Sequence, residues 1–295
     1  MKTLLLNVCL MLGSFSLIGQ STDDETGLPG DQFSLEGALE LFKEANSPED
    51  FEKALNTADY HVNNLDLNDD GETDYIHVNG SNDGDLRLFV LQVSVSENEK
   101  QDIAVIEIEK IGTDNAVIQI VGDEDIFGEE TIIEPSEEND QDKEDHKRGP
   151  AVDEEAFIVV NVWAWPSIRF VYGPNYRPWV SPWRWRVYPN WWRPWRPLSW
   201  AVWHPFKVKH YRPTIRVVHT HRIVKAHNIY RPSRVTSTTV KSRYTSAHNN
   251  YKVTRSKTKV TGPRGNSVTK KSTTVQGRHG QVKGQKTTVK RSRRG

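Results

Sequence analysis

Between residues 35 and 58, hydrophobic residues recur at the spacing of an α-helix. They form two consecutive runs: Leu35, Ala38, Leu39, Phe42 and Ala45, then Phe51, Leu55 and Ala58. Ser34 stands before the first run, and Ser47 with Pro48 stands before the second. Serine caps the free N–H groups of a first turn, and proline is well tolerated there. The pattern therefore predicts two short helices.

After residue 74 the pattern changes to runs that are rich in Val, Ile and Phe. These runs are residues 75–79, 86–95, 103–111 and 116–121. The sequences between them, NGSNDGD, SENEKQD and GTDN, are rich in turn-forming residues. An antiparallel β-meander with the two helices on one face is the simplest architecture for this order of elements. We therefore predict an acidic α+β domain over residues 20–133.

Three segments of different composition follow. Residues 134–150 hold seven acidic residues and no apolar residue except proline, which is typical of a linker. Residues 151–206 contain all ten tryptophans, and their many prolines predict an irregular β module with a hairpin around Pro166. Residues 207–295 are basic, weakly repetitive and poor in apolar residues other than single valines, which predicts a largely disordered or β-ribbon tail.

Charge divides the chain into two opposite halves. All 39 acidic residues lie at or before Glu155 together with nine basic ones, so this half carries −30 and the remainder carries +30. The basic half must therefore meet an anionic partner, or the acidic half of its own chain in cis or in trans. Catalysis there is disfavoured, because no carboxylate is present to act as a general base.

The first 19 residues have the features of a secretion signal. Lys2 precedes an apolar stretch over residues 4–18, and the small Gly19 supplies a cleavage point. The apolar stretch is too short to span a bilayer comfortably. We therefore expect an exported protein that is periplasmic, located on the outer surface, or secreted.

One nine-residue stretch, DLNDDGETD, has the spacing of a calcium loop. Its oxygen-bearing residues stand at loop positions 1, 3, 5, 7 and 9: Asp66, Asn68, Asp70, Glu72 and Asp74. Glu72 would use its backbone carbonyl, and Gly71 permits the sharp turn at position 6. The stretch resembles the calcium loops of FG-GAP, dockerin and thrombospondin type 3 repeats, which implies a structural calcium ion. It departs from an EF-hand because His77 stands at position 12. The alternative is an Asx-rich turn without metal.

The tryptophan-rich segment contains candidate residues for surface binding. They are Trp183, Trp185, Trp191, Trp192, Arg193, Trp195 and Arg196. Within them, NWWRPWRP resembles short Trp/Arg-rich host-defence peptides that lie at lipid headgroups. Three interpretations stay open: contact with an envelope or membrane surface, stacking on sugars or nucleic-acid bases, and a small core of packed rings.

Five histidines lie within 24 residues, at positions 204, 210, 219, 221 and 227. The pair His219 and His221 would share one face of a strand, where two imidazoles bind a soft divalent metal. No acidic residue or cysteine accompanies them in the sequence, which favours scattered solvated histidines instead.

Together these features resemble an exported bacterial protein without enzymatic activity. The sequence predicts an envelope or surface protein with a structural calcium site and a Trp-rich cationic region that adheres to an anionic envelope polymer or a membrane surface. Two alternatives are self-assembly through contacts between acidic and basic halves, and unspecific binding of nucleic acid.

Overall fold

The computed structural model describes residues 25–136, 159–211, 215–261, 267–276 and 282–292. The predicted signal peptide and residues 137–150 of the predicted linker lie outside the described residues. Within these ranges the chain has a mixed α+β fold, which confirms the predicted fold class.

The described helices are short and lie in both halves of the chain. They are α1 (Leu35–Glu44), α2 (Pro48–Leu55), α3 (Glu124–Phe127), α4 (Pro166–Val171), α5 (Trp200–Tyr211), α6 (Val224–Tyr230) and α7 (Thr238–Asn250). The serines before α1 and α2 cap them, because the Ser34 hydroxyl accepts from Gly37 N at 3.0 Å and the Ser47 hydroxyl accepts from Asp50 N at 3.1 Å. Across the described residues, no helix combines the length and the apolar character that a membrane span requires.

Six antiparallel strands form the main sheet, in sequence order. They are β1 (Ile76–Asp83), β2 (Leu86–Ser94), β3 (Lys100–Gly112), β4 (Asn115–Gly122), β5 (Thr131–Pro135) and β6 (Ile215–Val218). The first five come from the acidic half, and β6 comes from the basic half. In this last pairing Ile132 lies opposite Val218, and Pro135 lies opposite Ile215. The last strand of the sheet, β6, therefore begins about 80 residues after the end of β5.

The two faces of the sheet carry separate hydrophobic clusters, and the basic half contributes residues to both. On one face α1 and α2 pack against the strands, with Phe42, Phe51 and Phe89 fully buried among them. On the other face α6 covers a second cluster. Its buried residues are Leu86, Leu88, Val105, Val121, Ile132, Ile223, Ala226 and Tyr230. Among the described residues, α6 of the basic half thus covers a hydrophobic face of the acidic sheet.

The predicted tail is largely ordered between residues 215 and 250, so the prediction of disorder is wrong there. Its sparse apolar residues need no core of their own, because they pack on the sheet. Ile223, Ala226 and Val240 are all fully buried. Further on, β7 (Lys252–Thr261), β8 (Ser267–Gln276) and β9 (Val282–Ser292) form a second antiparallel sheet, as in the β-ribbon alternative.

The tryptophan-rich segment also differs from the prediction. The hairpin expected around Pro166 is wrong, because Pro166 begins helix α4, whose Ile168 and Val171 are buried. Proline suits a first helical turn, since its missing N–H needs no partner there. The following residues are irregular and carry only isolated bridges, such as the one from Val180 to Asn79 of β1. The predicted boundaries do not coincide with element ends: β5 runs to Pro135, and α5 crosses residue 206.

Candidate functional site

The acidic loop from Asp66 to Asp74 folds around its own carboxylates. The carboxylate of Asp66 accepts from the backbone N–H of Asp70 at 3.1 Å and of Gly71 at 2.9 Å. Asp69 and Gly71 have positive φ angles of 63° and 82°, which turn these N–H groups inward. The carboxylate of Asp70 accepts from Glu72 N at 2.9 Å. The structure therefore brings the predicted ligand residues together in one loop.

Asp74 is the buried member of this group, with an exposed fraction of only 6%. Its carboxylate accepts from Leu67 N at 2.5 Å and from Asn68 Nδ2 at 3.2 Å. Burial raises the pKa of Asp74 to about 7, and the nearby charges of Asp66 and Asp70 add to the increase. A bound cation would reverse both effects, because it replaces lost solvation and offsets the repulsion.

Asn68 links the two inner carboxylates. Its Nδ2 group donates to Asp70 Oδ2 at 3.0 Å as well as to Asp74, and its Oδ1 accepts from Asp70 N at 2.8 Å. The carboxylates of Asp66, Asp70 and Asp74 are oxygen donors of the kind that a hard cation such as Ca²⁺ prefers. The side chain of Glu72 is exposed, which agrees with a contribution from its carbonyl alone. The residues present therefore fit a calcium ion.

His77, at position 12, belongs to the sheet instead of the loop. Its exposed fraction is 3%, and its two ring nitrogens lie 3.3 Å from the hydroxyl oxygens of Ser181 and Ser94. Burial lowers the pKa of His77 to about 4, so the ring is neutral at pH 7. It is a structural residue between β1 and the tryptophan-rich segment.

The loop is held between two parts of the basic half. Trp195 accepts from Thr73 N through its backbone carbonyl at 2.7 Å. On the other side, the Arg243 guanidinium of α7 donates to the carbonyls of Leu67 and Asn68. Any change in the loop conformation therefore reaches the tryptophan-rich segment directly.

A second anchor of the tryptophan-rich segment is Glu52 of α2, which the sequence analysis missed. Its buried carboxylate accepts from Tyr75 Oη at 2.8 Å, Trp179 Nε1 at 3.1 Å and Ser181 Oγ at 2.9 Å. It also accepts from the backbone N–H of Val78 at 3.0 Å. Burial raises the pKa of Glu52 above its ordinary value. The only signal in the sequence is an acid at the edge of the apolar face of α2.

The candidate surface residues divide into exposed and buried ones. Trp191 is 46% exposed, Trp192 only 5%. Arg193 and Arg196 are exposed, whereas Trp183, Trp185 and Trp195 are partly buried. The ring of Trp192 lies 5.2 Å from Tyr75 and 4.5 Å from Tyr188, measured between centroids. The prediction that Trp192 contacts a surface is therefore wrong, because its ring packs against the acidic domain.

Six arginines surround these tryptophans, and all are exposed. They are Arg169, Arg177, Arg184, Arg186, Arg193 and Arg196. Within the described ranges, no ion pair joins any of them to a carboxylate. Some lie over aromatic rings, as Arg186 does over Trp185 with 5.6 Å between its guanidinium carbon and the ring centroid.

The arginines between residues 215 and 235, in contrast, form ion pairs with carboxylates. Arg216 and Arg222 both bind Glu134, at 3.0 Å and 2.6 Å. Arg234 binds Asp123, and lies 2.6 Å from Asp125. These pairs join the two halves of one chain. Part of the charge asymmetry is therefore neutralised in cis.

The prediction of scattered solvated histidines is wrong for His227, which is buried, and the HTH pair does not share one environment. His219 is exposed, whereas His221 faces His227 of α6 with 3.9 Å between ring centroids. Glu107 of β3 completes this cluster beneath them. No local pattern indicates this cluster, because Glu107 lies more than 110 residues from its histidine partners.

Comparisons of the chain with protein-family models, with curated proteins and with solved structures give no match.

Proposed function

We propose that this is an exported, non-enzymatic binding protein of the bacterial envelope. Its Trp/Arg surface, defined here as residues 179–196, binds an anionic envelope polymer or the headgroups of an anionic membrane. The loop Asp66–Asp74 binds calcium and stabilises the position of that surface.

The observation that carries this proposal is the contrast between the two sets of arginines. Arg216, Arg222 and Arg234 are paired with carboxylates of the sheet. The arginines of the Trp/Arg surface are exposed and have no such partner among the described residues. Unpaired exposed cations are the groups that attract a polyanion at long range and contact it on arrival.

The tryptophans add an amphipathic character to the positive charge. Trp183, Trp185 and Trp195 are partly buried, and Trp191 is 46% exposed. Partly buried indole rings beside guanidinium groups suit a boundary that is apolar on one side and wet on the other. This favours an envelope surface over a simple soluble polyanion.

Calcium would act through the contact between the loop and the surface. Thr73 stands between the proposed ligands Glu72 and Asp74, and its N–H donates to the carbonyl of Trp195. A loop ordered by calcium holds that N–H in place and so orders the surface before a partner binds. The entropic cost of binding the partner is therefore smaller.

Self-assembly through exchange of acidic and basic halves is the less favoured alternative. Such assembly in trans would have to compete with the pairs that Arg216, Arg222 and Arg234 form in cis. Within one chain the partners are held together covalently, so their effective concentration is high.

The test compares two triple variants of the full-length protein that lose the same charge. The arginine variant carries Gln at Arg184, Arg193 and Arg196. The control variant carries Gln at three lysines outside the Trp/Arg surface, Lys43, Lys225 and Lys241. Binding to phosphatidylglycerol vesicles, neutral phosphatidylcholine vesicles and an anionic polysaccharide is measured by cosedimentation and tryptophan emission at several salt concentrations.

We expect wild type and control to bind the anionic probes with a blue shift of emission, and the arginine variant to bind at least about tenfold more weakly. On a polyanion its log–log salt slope should fall by about 2 to 3, since each lost contact removes about 0.7 to 0.9. A blue shift with vesicles alone identifies a membrane partner. Equal weakening of both variants would refute a role for this surface, because it would reflect net charge only.

A further inference from the structure

Glu107 is a buried carboxylate for which the fold supplies no hydrogen bond. It lies on β3 beneath α6, its exposed fraction is 0%, and neither of its oxygens has a hydrogen-bond partner. An ionised carboxylate without partners is costly in such a place, so Glu107 either takes up a proton or binds a cation.

Two histidines from the basic half face this carboxylate. His227 Nδ1 lies 3.4 Å from Glu107 Oε1 and makes no hydrogen bond. His221 lies beside it, and its Nε2 is 3.1 Å from an oxygen of Glu130. His227 Nε2 lies 3.8 Å from the other oxygen of Glu130. Two imidazoles and the Glu107 carboxylate thus converge between the sheet and α6, and Glu130 lies on the Nε2 side of both imidazoles.

We propose that Glu107, His221 and His227 bind a divalent transition-metal ion such as Zn²⁺ between the Glu107 carboxylate and the unpartnered Nδ1 atoms of the two imidazoles. One ligand atom from each of the three residues lies within 4.8 Å of the others. With metal–ligand bonds of about 2.0 to 2.1 Å, a tetrahedral site needs about 3.3 Å between ligand atoms. Side-chain movements of about 1 Å would bring the ligand atoms from their present separations to the separations of a tetrahedral site.

The ligand types separate this site from the calcium loop. Imidazole nitrogen suits zinc, copper and nickel, whereas calcium selects oxygen ligands. Glu107 supplies the carboxylate of this set. Glu130 lies on the Nε2 side of both imidazoles, and its Oε1 is also 3.6 Å from Nη1 of Arg231. Glu107 and the two histidines therefore form the core of the site.

Such a metal ion would join the two halves of the protein. Glu107 belongs to the sheet, whereas His221 and His227 flank the start of α6, which covers its second face. A ligand that binds only when both are in place stabilises the folded chain by mass action. The ion would therefore hold the basic half against the acidic sheet.

The test is titration of untagged, chelator-treated full-length protein with ZnCl₂, followed by calorimetry and thermal unfolding. We expect one tight site per chain and an increase in the melting temperature. Glu107→Gln and His221→Gln should each weaken binding more than about 100-fold, beyond the effect of outer-shell changes. Cobalt should give the visible absorption bands of a low-coordinate site, and these bands should be missing in Glu107→Gln.

The matched control is His219→Gln, an exposed histidine two residues from His221. It should bind zinc as the wild type does, and so should the calcium-loop variant Asp70→Ala. Glutamine preserves the shape of Glu107 without its charge, so circular dichroism should report an intact fold. Weak zinc binding that is unaffected by Glu107→Gln, or lost equally in His219→Gln, would overturn the proposal in favour of scattered surface histidines.

Discussion

Replacing Asp74 with asparagine tests the calcium loop at its one buried carboxylate. Its oxygens accept from Leu67 N and from Asn68 Nδ2, and its pKa is raised to about 7. Calcium needs the ionised form, so binding must displace a proton at pH values below 7. The affinity for calcium is therefore expected to increase with pH.

The size of the pH effect on calcium affinity follows from the pKa of Asp74. About one Asp74 side chain in eleven is ionised at pH 6 and about ten in eleven at pH 8, so calcium should bind about tenfold more tightly at pH 8 than at pH 6. A dissociation constant of about 10⁻⁴ to 10⁻³ M, typical of extracellular modules, is expected near neutral pH.

The same shift predicts how stability depends on pH without calcium. The folded-state pKa of about 7 lies above the ordinary value of 3.8, so the unfolded chain releases this proton first as pH rises. The contribution of Asp74 to stability is therefore complete below about pH 4 and is lost between about pH 4 and pH 7. Calcium should offset this loss most strongly above pH 7.

Calorimetric titration with CaCl₂ at pH 6, 7 and 8, with melting curves in parallel, measures both effects. Asp74→Asn should weaken calcium binding at least about tenfold and remove its dependence on pH. The matched control is Asp69→Asn, which removes the same charge from an exposed, non-ligand position in the same loop and keeps a residue that tolerates positive φ. Identical titrations of wild type and Asp74→Asn, or an affinity that is constant from pH 6 to pH 8, would exclude Asp74 as a calcium ligand.

Two further predictions concern the contacts between the halves. Glu52→Ala leaves Tyr75 Oη and Trp179 Nε1 without their acceptor, so the free energy of unfolding in urea should fall by about 2 to 4 kcal/mol. The native tryptophan emission should also shift to the red. An unchanged urea midpoint would contradict the anchoring role of Glu52. Arg234→Gln leaves the buried carboxylate of Asp123 without its cation and should lower the free energy of unfolding by about 3 kcal/mol. Lys43→Gln breaks an exposed pair and should lower it by less than about 0.5 kcal/mol. Similar losses in these two variants would argue against a buried interface between the halves.

Elements that depend on neighbours along the chain can be predicted from the order of the residues. Ser34 and Ser47 mark the starts of α1 and α2 because a cap bonds to an N–H three residues away. The strands of the meander follow from the runs rich in Val, Ile and Phe and from the turn residues between them. The ligand spacing from Asp66 to Asp74 is equally local, since nine residues hold all the oxygen donors.

Tertiary structure alone decided which surfaces are buried. A run of single valines and isoleucines after residue 207 is too sparse for a core of its own, and nothing local indicates that Ile223 and Tyr230 cover the second face of the sheet. The same holds for Trp192, which is buried because Tyr75 happens to lie beneath it. Glu107 and Glu52 meet their partners across more than 100 residues. Helical and strand periods carry no information about such distant contacts, which depend on how the completed surfaces fit together.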